Sequence, residues 1–136
     1  MKKVVLIFSL TSLAFIANAQ IVNFRWAKQM GGTGGLAEGY AIATDAVGNV
    51  YTTGVYNGTV DLDPGPGTFN LTGAGMFVSK LDPNGNFVWA KQMGAQGYAI
   101  ALDASGNIYT TGYFTGTVDF DSGPGILILS DIGGIG

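Results

Sequence analysis

The chain has 136 residues, which corresponds to one domain at most, and it contains no Cys and no His. Disulfides, thiolate chemistry, the usual zinc sites and His-based acid–base catalysis are therefore excluded. Gly is abundant at 23 residues, and Gly, Asn, Asp and Thr are spread among Val, Ile, Tyr and Phe. This composition predicts many short strands joined by tight turns.

The N-terminus has the pattern of a secretory signal peptide. A basic start with Lys2 and Lys3 is followed by an apolar run over residues 4–16 and by Ala17-Asn18-Ala19, a small-x-small cleavage site. We therefore expect residues 1–19 to be removed and residues 20–136 to be secreted or held in the cell envelope; an uncleaved anchor is the alternative. Four basic and nine acidic residues remain, a net charge of −5. We expect no nucleic-acid partner and, after signal cleavage, no membrane span.

Two stretches of the remaining chain occur twice. NFRWAKQMG at residues 23–31 returns as NFVWAKQMG at residues 86–94, with one difference in nine positions. Residues 38–72 return as residues 96–130, with 22 of 35 positions identical. A repeat of this period indicates stacked units, each of which needs its neighbours. We divide the chain into repeat one, about 23–85, and a truncated repeat two, about 86–136.

Within a repeat the apolar residues alternate with a period of two, which predicts strands. In chain order, the pattern predicts a glycine-rich flexible linker over residues 32–37 and two paired strands over residues 40–43 and 49–56. An insertion hairpin follows over residues 58–72. Two strands joined by Asp-Pro-Asn-Gly are then predicted over residues 76–82 and 87–93. The linker matches G-x-G-x-x-A, but no helix pattern follows it, so we do not interpret it as a dinucleotide site. In the last strand, four residues are expected to share one face: Phe87, Trp89, Lys91 and Met93.

Four antiparallel strands per repeat predict all-β blades of a β-propeller, about two of them and incomplete. A β-sandwich also suits many short strands, but it does not predict the duplication. The stretches FVSKLDPNGNFVWAKQMG, YAIALDASGNIYTTGYF and GTVDFDSGPG resemble the bacterial β-propeller repeat (SBBP) proteins of exported Bacteroidetes type, over residues 23–130. The resemblance implies a propeller fold and an extracytoplasmic location, and it implies no shared catalytic residues.

Closed propellers have ~4–8 blades, so two repeats are too few for a ring. We expect either a fragment of a longer protein, which we favour, or an assembly of several chains. In both cases, further blades or self-association are needed to bury the faces of these units.

Two acidic pairs are the candidates for metal binding, and they occupy equivalent positions in the repeats: Asp61 and Asp63, Asp119 and Asp121. Residues i and i+2 of a strand point the same way, ~6.6–7 Å apart, and carboxylates beside a glycine-rich turn suit Ca²⁺. The simpler interpretation, which we favour, is that each Asp accepts hydrogen bonds from its own turn. A glycosidase acid–base pair is disfavoured, because the pair recurs in every repeat.

The large apolar residues of the duplicated nine-residue stretch are expected to pack between neighbouring blades: Trp26, Trp89, Phe24, Phe87, Met30 and Met93. Carbohydrate stacking on the two Trp residues is the alternative. The sequence thus predicts a non-enzymatic binding or structural propeller segment whose partner is an extracellular protein or glycan, with no cofactor unless Ca²⁺ binds. Two alternatives stay open: a calcium-dependent adhesion or stabilisation module, and a fragment of a propeller hydrolase or lyase whose active site lies outside this chain.

Overall fold

The computed structural model describes residues 23–32, 34–131 and 133, and all regular structure in these ranges is β. The predicted signal peptide lies outside the described residues. The strands are β1 (Gly35–Thr44), β2 (Val50–Asp61), β3 (Asn70–Leu81), β4 (Phe87–Met93), β5 (Gln96–Leu102), β6 (Ile108–Tyr113), β7 (Thr117–Asp119) and β8 (Ile128–Ser130). The part of the chain that the structure describes contains no helix long and apolar enough to cross a membrane.

The first four strands form one antiparallel sheet in the order β1-β2-β3-β4, which we call blade one. Each strand pairs with its neighbour in the chain, as short connections favour. The predicted fold class, with antiparallel four-stranded blades, is confirmed. Blade one extends from Gly35 to Met93, so it crosses the repeat boundary that we placed between residues 85 and 86. The WAKQM strand ends a blade.

The insertion hairpin predicted over residues 58–72 does not exist as a separate element. β2 and β3 pair without interruption from Val50↔Leu81 to Asp61↔Asn70, so these residues form the far end of one long hairpin. Gly58 and Gly73 lie opposite each other, with φ of +87° and +114°. Two glycines at positive φ let both strands bend together without losing the pairing.

The glycine-rich linker was also predicted too long, because Gly35 already belongs to β1 and pairs with Gly58. A Cβ at Gly35 would collide with the backbone carbonyl of Asn57. The glycine at this position therefore allows a close approach of two strands, which is a structural role rather than a flexible one.

Directly opposed residues of antiparallel strands point to the same side of the sheet, so the pairing assigns each residue to a face. Both faces of blade one carry apolar residues. The first face carries a buried cluster that includes Val60 and Phe77, which are 0% and 1% exposed. Its other members are Tyr56, Leu62, Leu71 and Ala90. The second face carries Met76 and Val78 from β3 and Trp89 and Met93 from β4.

A β-bulge at Val88 separates Phe87 from Trp89, so the prediction that they share a face is wrong. Leu81 pairs with Phe87 and Lys80 pairs with Trp89, which leaves Val88 as the extra residue. One extra residue turns the side chain before it to the opposite side of the sheet. Phe87 consequently packs on the first face, where its ring lies 5.0 Å from that of Phe69.

Residues 96–131 form unit two, which repeats only part of blade one. β5 and β6 pair as β1 and β2 do, with the same register shift, between Gly97 and Ala99 in place of Gly39 and Ala41. β7 and β8 pair as a separate hairpin. The stretch equivalent to β2 is broken at residues 114–116, whereas β2 is continuous because β3 pairs with its whole length. In the described part of unit two, no strand covers the corresponding edge of β6.

Unit two stacks on the second face of blade one. Trp89 and Met93 pack there beside residues from unit two: Ile100, Ile108, Phe114 and Phe120. The backbone of Gly97 comes so close that a Cβ there would lie 2.5 Å from Thr53 Oγ1 and 2.8 Å from Met76 Cε. Residues 23–31 form no strand, although their sequence nearly repeats β4. They lie on the first face, where Met30 packs against the buried cluster.

Candidate functional site

Three turns with the pattern D-x-x-G-N have the same geometry in this chain. They occupy residues 45–49, 82–86 and 103–107, between β1 and β2, β3 and β4, and β5 and β6. Each is closed by two backbone hydrogen bonds, as in the first turn, where Gly48 N donates to Asp45 O and Asp45 N donates to Asn49 O. The glycines have φ of +90°, +79° and +82°, a conformation in which glycine has no Cβ penalty.

The Asp carboxylate is the centre of each turn. In the first turn, Asp45 Oδ1 accepts hydrogen bonds from the backbone N–H of Val47 (3.1 Å) and Asn49 (2.9 Å), and Oδ2 accepts one from Asn49 Nδ2 (2.7 Å). Asp82 and Asp103 accept the equivalent bonds at 2.7–2.9 Å. Each carboxylate therefore holds its own loop closed.

These hydrogen bonds lower the pKa of all three carboxyl groups below the usual Asp range. The donation from the Asn side chain is the main cause for Asp45 and Asp103, and the donation from the Asn86 backbone N–H is the main cause for Asp82. A carboxylate that accepts several N–H bonds is favoured in its ionised form. The folded turns therefore stabilise the charged state.

The three turns lie at one end of the blades, which we call the turn face. Val50 pairs with Leu81, so the first two turns are neighbours, and a Cβ at Gly48 would lie 3.6 Å from the Pro83 ring. A cavity of about 420 Å³ separates the first turn from the third, and it is lined by residues 44–47 and 102–106. The turn face thus presents one loop per strand pair, with an open cleft where blade one meets unit two.

The acidic pairs lie at the opposite end: Asp61 and Asp119 are the last residues of β2 and β7, and Asp63 and Asp121 lie in the loops that follow. Asp61 Oδ1 accepts hydrogen bonds from the backbone N–H of Asp63 (3.0 Å) and Phe69 (2.8 Å), and Asp63 Oδ1 accepts one from Gly65 N (2.7 Å). The second loop repeats these contacts with Asp119 and Asp121, at 3.0, 2.8 and 2.6 Å. The bonds from the backbone N–H groups of Leu127 and Asp121 lower the pKa of Asp119.

The favoured interpretation of these pairs, hydrogen bonding to their own turns, agrees with this geometry. Asp119 and Asp121 also line a cavity of about 320 Å³ together with Tyr56 and Gln92, whose side chains are joined by a 2.7 Å hydrogen bond. Among the described residues, no group of three or more His, Cys, Asp or Glu side chains is placed to hold a metal ion. Calcium binding by the pairs stays a hypothesis.

The predicted inter-blade residues lie in different surroundings. Trp89 and Met93 pack against a buried cluster that residues of unit two also pack against, and Met30 packs against the first face of blade one. Trp26 donates a hydrogen bond from Nε1 to the carbonyl of Pro83 (3.0 Å) and lies against the second turn. Phe24 is 82% exposed and lies in residues 23–31, which form no strand, so its packing between blades stays a prediction.

Two features of the turns are missing from the sequence interpretation. Strand alternation predicts only an ordinary hairpin turn at residues 82–86, which share D-x-x-G-N with the other two turns. The hydroxyl groups of Tyr51 and Tyr109 each donate a 3.1 Å hydrogen bond to the Asp six residues earlier. The spacing D-x-x-G-N-x-Y is the sequence pattern that corresponds to this hydrogen bond. The second turn lacks the Tyr, because residue 88 is Val.

Comparison with known proteins gives two matches. Residues 25–59, which include β1 and most of β2, match the SBBP family, described as a beta-propeller repeat. An uncharacterized WD repeat-containing protein of Acanthamoeba polyphaga mimivirus is 28% identical over 111 residues, which cover 66% of this chain and 8% of that protein. No solved structure matches. The chain therefore contains a β-propeller repeat, and its antiparallel sheets are blades that do not close a ring within the described residues.

Proposed function

We propose that this chain is a non-enzymatic β-propeller repeat segment of an exported bacterial protein, used as a binding surface or a structural scaffold. The observation that carries the proposal is the use of the carboxylates. Asp45 and Asp103 bind the backbone of their own turns with the same atoms in both repeats, and so do the acidic pairs at the other end. Groups that recur with the same contacts in every unit stabilise the unit, whereas an active site needs groups in contrasting environments.

The turn face is the surface that we assign to binding. Loops at the ends of a rigid scaffold carry the function of many folds, because they can vary without disturbing the sheets. Here the cleft of about 420 Å³ lies between two such loops, and Val47 on the first loop is 74% exposed. We propose an extracellular protein or a glycan as the partner at this cleft.

The proposal is tested by adding repeats in register. Because equivalent positions are 58 residues apart, a chain of residues 1–130 followed by a second copy of residues 73–136 supplies unit two with the strands that blade one has. In a stacked repeat array, stability is roughly a sum of unit and interface terms. We expect a higher Tm and a sharper transition by calorimetry. The matched control carries Phe77→Asp in the appended copy only and should gain little.

Export is tested separately, by mass spectrometry of the chain expressed with its own N-terminus in a bacterial host. We expect a product that begins at Gln20, found outside the cytoplasm. An unprocessed cytoplasmic chain, or an extended chain whose Tm does not rise, would contradict the proposal.

A further inference from the structure

Each unit carries one tyrosine that a β-bulge sets apart from its strand. The register of β1 on β2 and that of β5 on β6 shift at equivalent places, and Tyr40 and Tyr98 are the extra residues there. A bulge takes a side chain out of the ordinary alternation of a strand and aims it in a new direction. We call Tyr40 and Tyr98 the tyrosine row.

The strand beside each bulge is adapted to it by a glycine. A Cβ at Gly54 would collide with the carbonyl oxygen of Glu38, and a Cβ at Gly112 would collide with that of Gln96. Both glycines therefore let the bulged segment approach the neighbouring strand closely. The position of the tyrosine is thus determined by two sites of the repeat, and both units keep both sites.

The two tyrosine side chains are held in the same way. Tyr40 donates a hydrogen bond from its hydroxyl to Glu38 Oε2, and Tyr98 donates one to Gln96 Oε1, each at 2.8 Å. β1 and β5 are in contact, and the two rings lie next to each other, with centroids 6.0 Å apart and planes tilted by 40°. The row is consequently a pair of adjacent rings with fixed hydroxyl groups.

Neighbouring units do not cover these rings. Tyr40 has unit two on its following side and is 47% exposed, whereas Tyr98 has blade one on its preceding side and is 49% exposed. Because a neighbour on either side leaves about half of the ring open, the exposure belongs to this position of the repeat. The turn carboxylates differ, since their own loops take up their hydrogen-bonding capacity.

We propose that the tyrosine row binds a neutral glycan chain. The C–H faces of sugar rings are apolar and pack on aromatic rings, while sugar hydroxyl groups need hydrogen-bond partners. Glu38 has a second carboxylate oxygen besides the one that Tyr40 uses, and Gln96 has an amide NH₂ group. The row therefore offers ring faces, acceptors and donors side by side.

The repetition of the site also suits a glycan. The 6.0 Å between the ring centroids is close to the spacing of successive sugar rings in a chain, so one tyrosine serves one sugar. This surface is separate from the turn face. The inference rests on the proposed function only in treating the chain as a binding module built of repeats.

A proline-rich peptide is the other ligand that rows of exposed aromatic rings bind. Proline residues have no N–H group and offer only carbonyl acceptors, so such a peptide needs donors from the protein. The tyrosine hydroxyl groups already donate to Glu38 and Gln96. Sugar hydroxyl groups both donate and accept, and they match the carboxylate of Glu38 better.

The test uses the full chain with two soluble neutral β-linked oligosaccharides, cellotetraose and fully N-acetylated chitotetraose. We expect one-to-one binding of at least one of them by titration calorimetry, and shifts of the ring signals of Tyr40 and Tyr98 in NMR spectra. Tyr40→Ala and Tyr98→Ala should each weaken binding by about tenfold, whereas the Phe variants keep the ring and should bind within a few-fold of the natural chain. Tyr113→Ala is the matched control, because Tyr113 is 51% exposed and lies outside the row.

Three results would overturn the glycan site: no binding of either oligosaccharide, Ala variants that bind as tightly as the natural chain, or polyproline that shifts the two ring signals while the oligosaccharides do not. The ring signals are measured on the natural chain, so this readout is valid even where an Ala variant fails to fold. If the extended chain gains Tm while neither oligosaccharide binds, only the glycan site is wrong. If an oligosaccharide binds while the extended chain gains nothing, the repeat array is wrong and the glycan site stands.

Discussion

Tyr51 and Tyr109 make the same hydrogen bond, 3.1 Å from the hydroxyl to the carboxylate of Asp45 and Asp103, yet Tyr51 is buried and Tyr109 is more than half exposed. Their turns have the same conformation, so the difference in burial arises outside the turns. Trp89 and Lys80 cover the first ring, and no described residue is in the equivalent position over the second. Local structure is therefore set within each unit, whereas burial depends on which strands lie beside it.

Removing the two hydroxyl groups separately should reveal this difference. We expect Tyr51→Phe to lower the Tm clearly, because the hydrogen bond to Asp45 is shielded from water and its loss leaves the carboxylate with one donor fewer. Tyr109→Phe should change the Tm little, since water replaces the lost donor at an exposed site. Thermal unfolding followed by circular dichroism checks both variants, and equal losses would contradict the role that we give to shielding.

The stacking of unit two on blade one is tested at Gly97. A Cβ there would lie 2.5 Å from Thr53 Oγ1 and 2.8 Å from Met76 Cε, so we expect Gly97→Ala to destabilise the chain by about 1–3 kcal/mol through overpacking. Gly39→Ala is the matched control, because Gly39 holds the equivalent position in β1 and a Cβ there meets only Thr52 Cγ2, at 3.3 Å. Urea unfolding of the two variants should rank Gly97→Ala as the less stable, and the reverse order would show that this interface is not formed in solution.

Stability should depend on pH through the turn carboxylates. The pKa values of Asp45, Asp82 and Asp103 are lower in the folded chain than in an unfolded one, mainly because Asn side chains or backbone N–H groups donate to them. Their contribution is therefore complete above the ordinary Asp pKa of about 3.9 and is lost as the pH falls through the lowered folded values. We expect the Tm to drop steeply in that acidic window.

Replacing all three carboxyl groups isolates their share of this pH dependence. The triple variant Asp45→Asn, Asp82→Asn, Asp103→Asn should have a lower Tm at neutral pH and a shallower fall in acid. Glu38→Gln is a suitable control, because it installs the residue that unit two has at this position, where Gln96 accepts the same hydrogen bond from a Tyr hydroxyl. An unchanged acid transition in the triple variant would assign the pH dependence to other groups.

Calcium should have no effect on the loops that carry the acidic pairs. Asp61 and Asp119 each accept two backbone N–H bonds across their loops, so the loops are closed by the protein itself. We expect the same Tm in millimolar CaCl₂ and in EDTA, measured by calorimetry on the full chain. A Tm rise with Ca²⁺ that disappears in Asp119→Asn, Asp121→Asn would instead support the calcium-dependent alternative.

The sequence was most informative where one unit repeats another. The sequence repeat with an offset of 58 residues predicted that β5 and β6 pair as β1 and β2 do. Even the bulges at Tyr40 and Tyr98 are at equivalent positions. Tight turns depend on a few residues in fixed spacing, so D-x-x-G-N determines the conformation at each occurrence. The same reasoning identified hydrogen bonding to the turn as the role of Asp61 and Asp119.

The sequence was less informative about which side a residue faces. Alternation alone places Phe87 with Trp89, but the extra residue Val88 moves Phe87 to the other face. Whether a strand accommodates an extra residue as a β-bulge depends on its partner strand and on the turn between them. The alternation pattern of one strand does not contain this information. The predicted insertion hairpin was wrong for a related reason, because only pairing with β3 makes β2 continuous through Gly58.

The nine-residue stretch that occurs twice shows which properties follow from local sequence and which require a neighbouring strand. Its composition and alternation determined that it can form a strand with a Trp and a Met on one side, and residues 87–93 do so as β4. Residues 23–31 have almost the same sequence and form no strand. A β-strand needs the hydrogen-bonding groups of a neighbour; β3 supplies them to the second copy, and no described strand supplies them to the first.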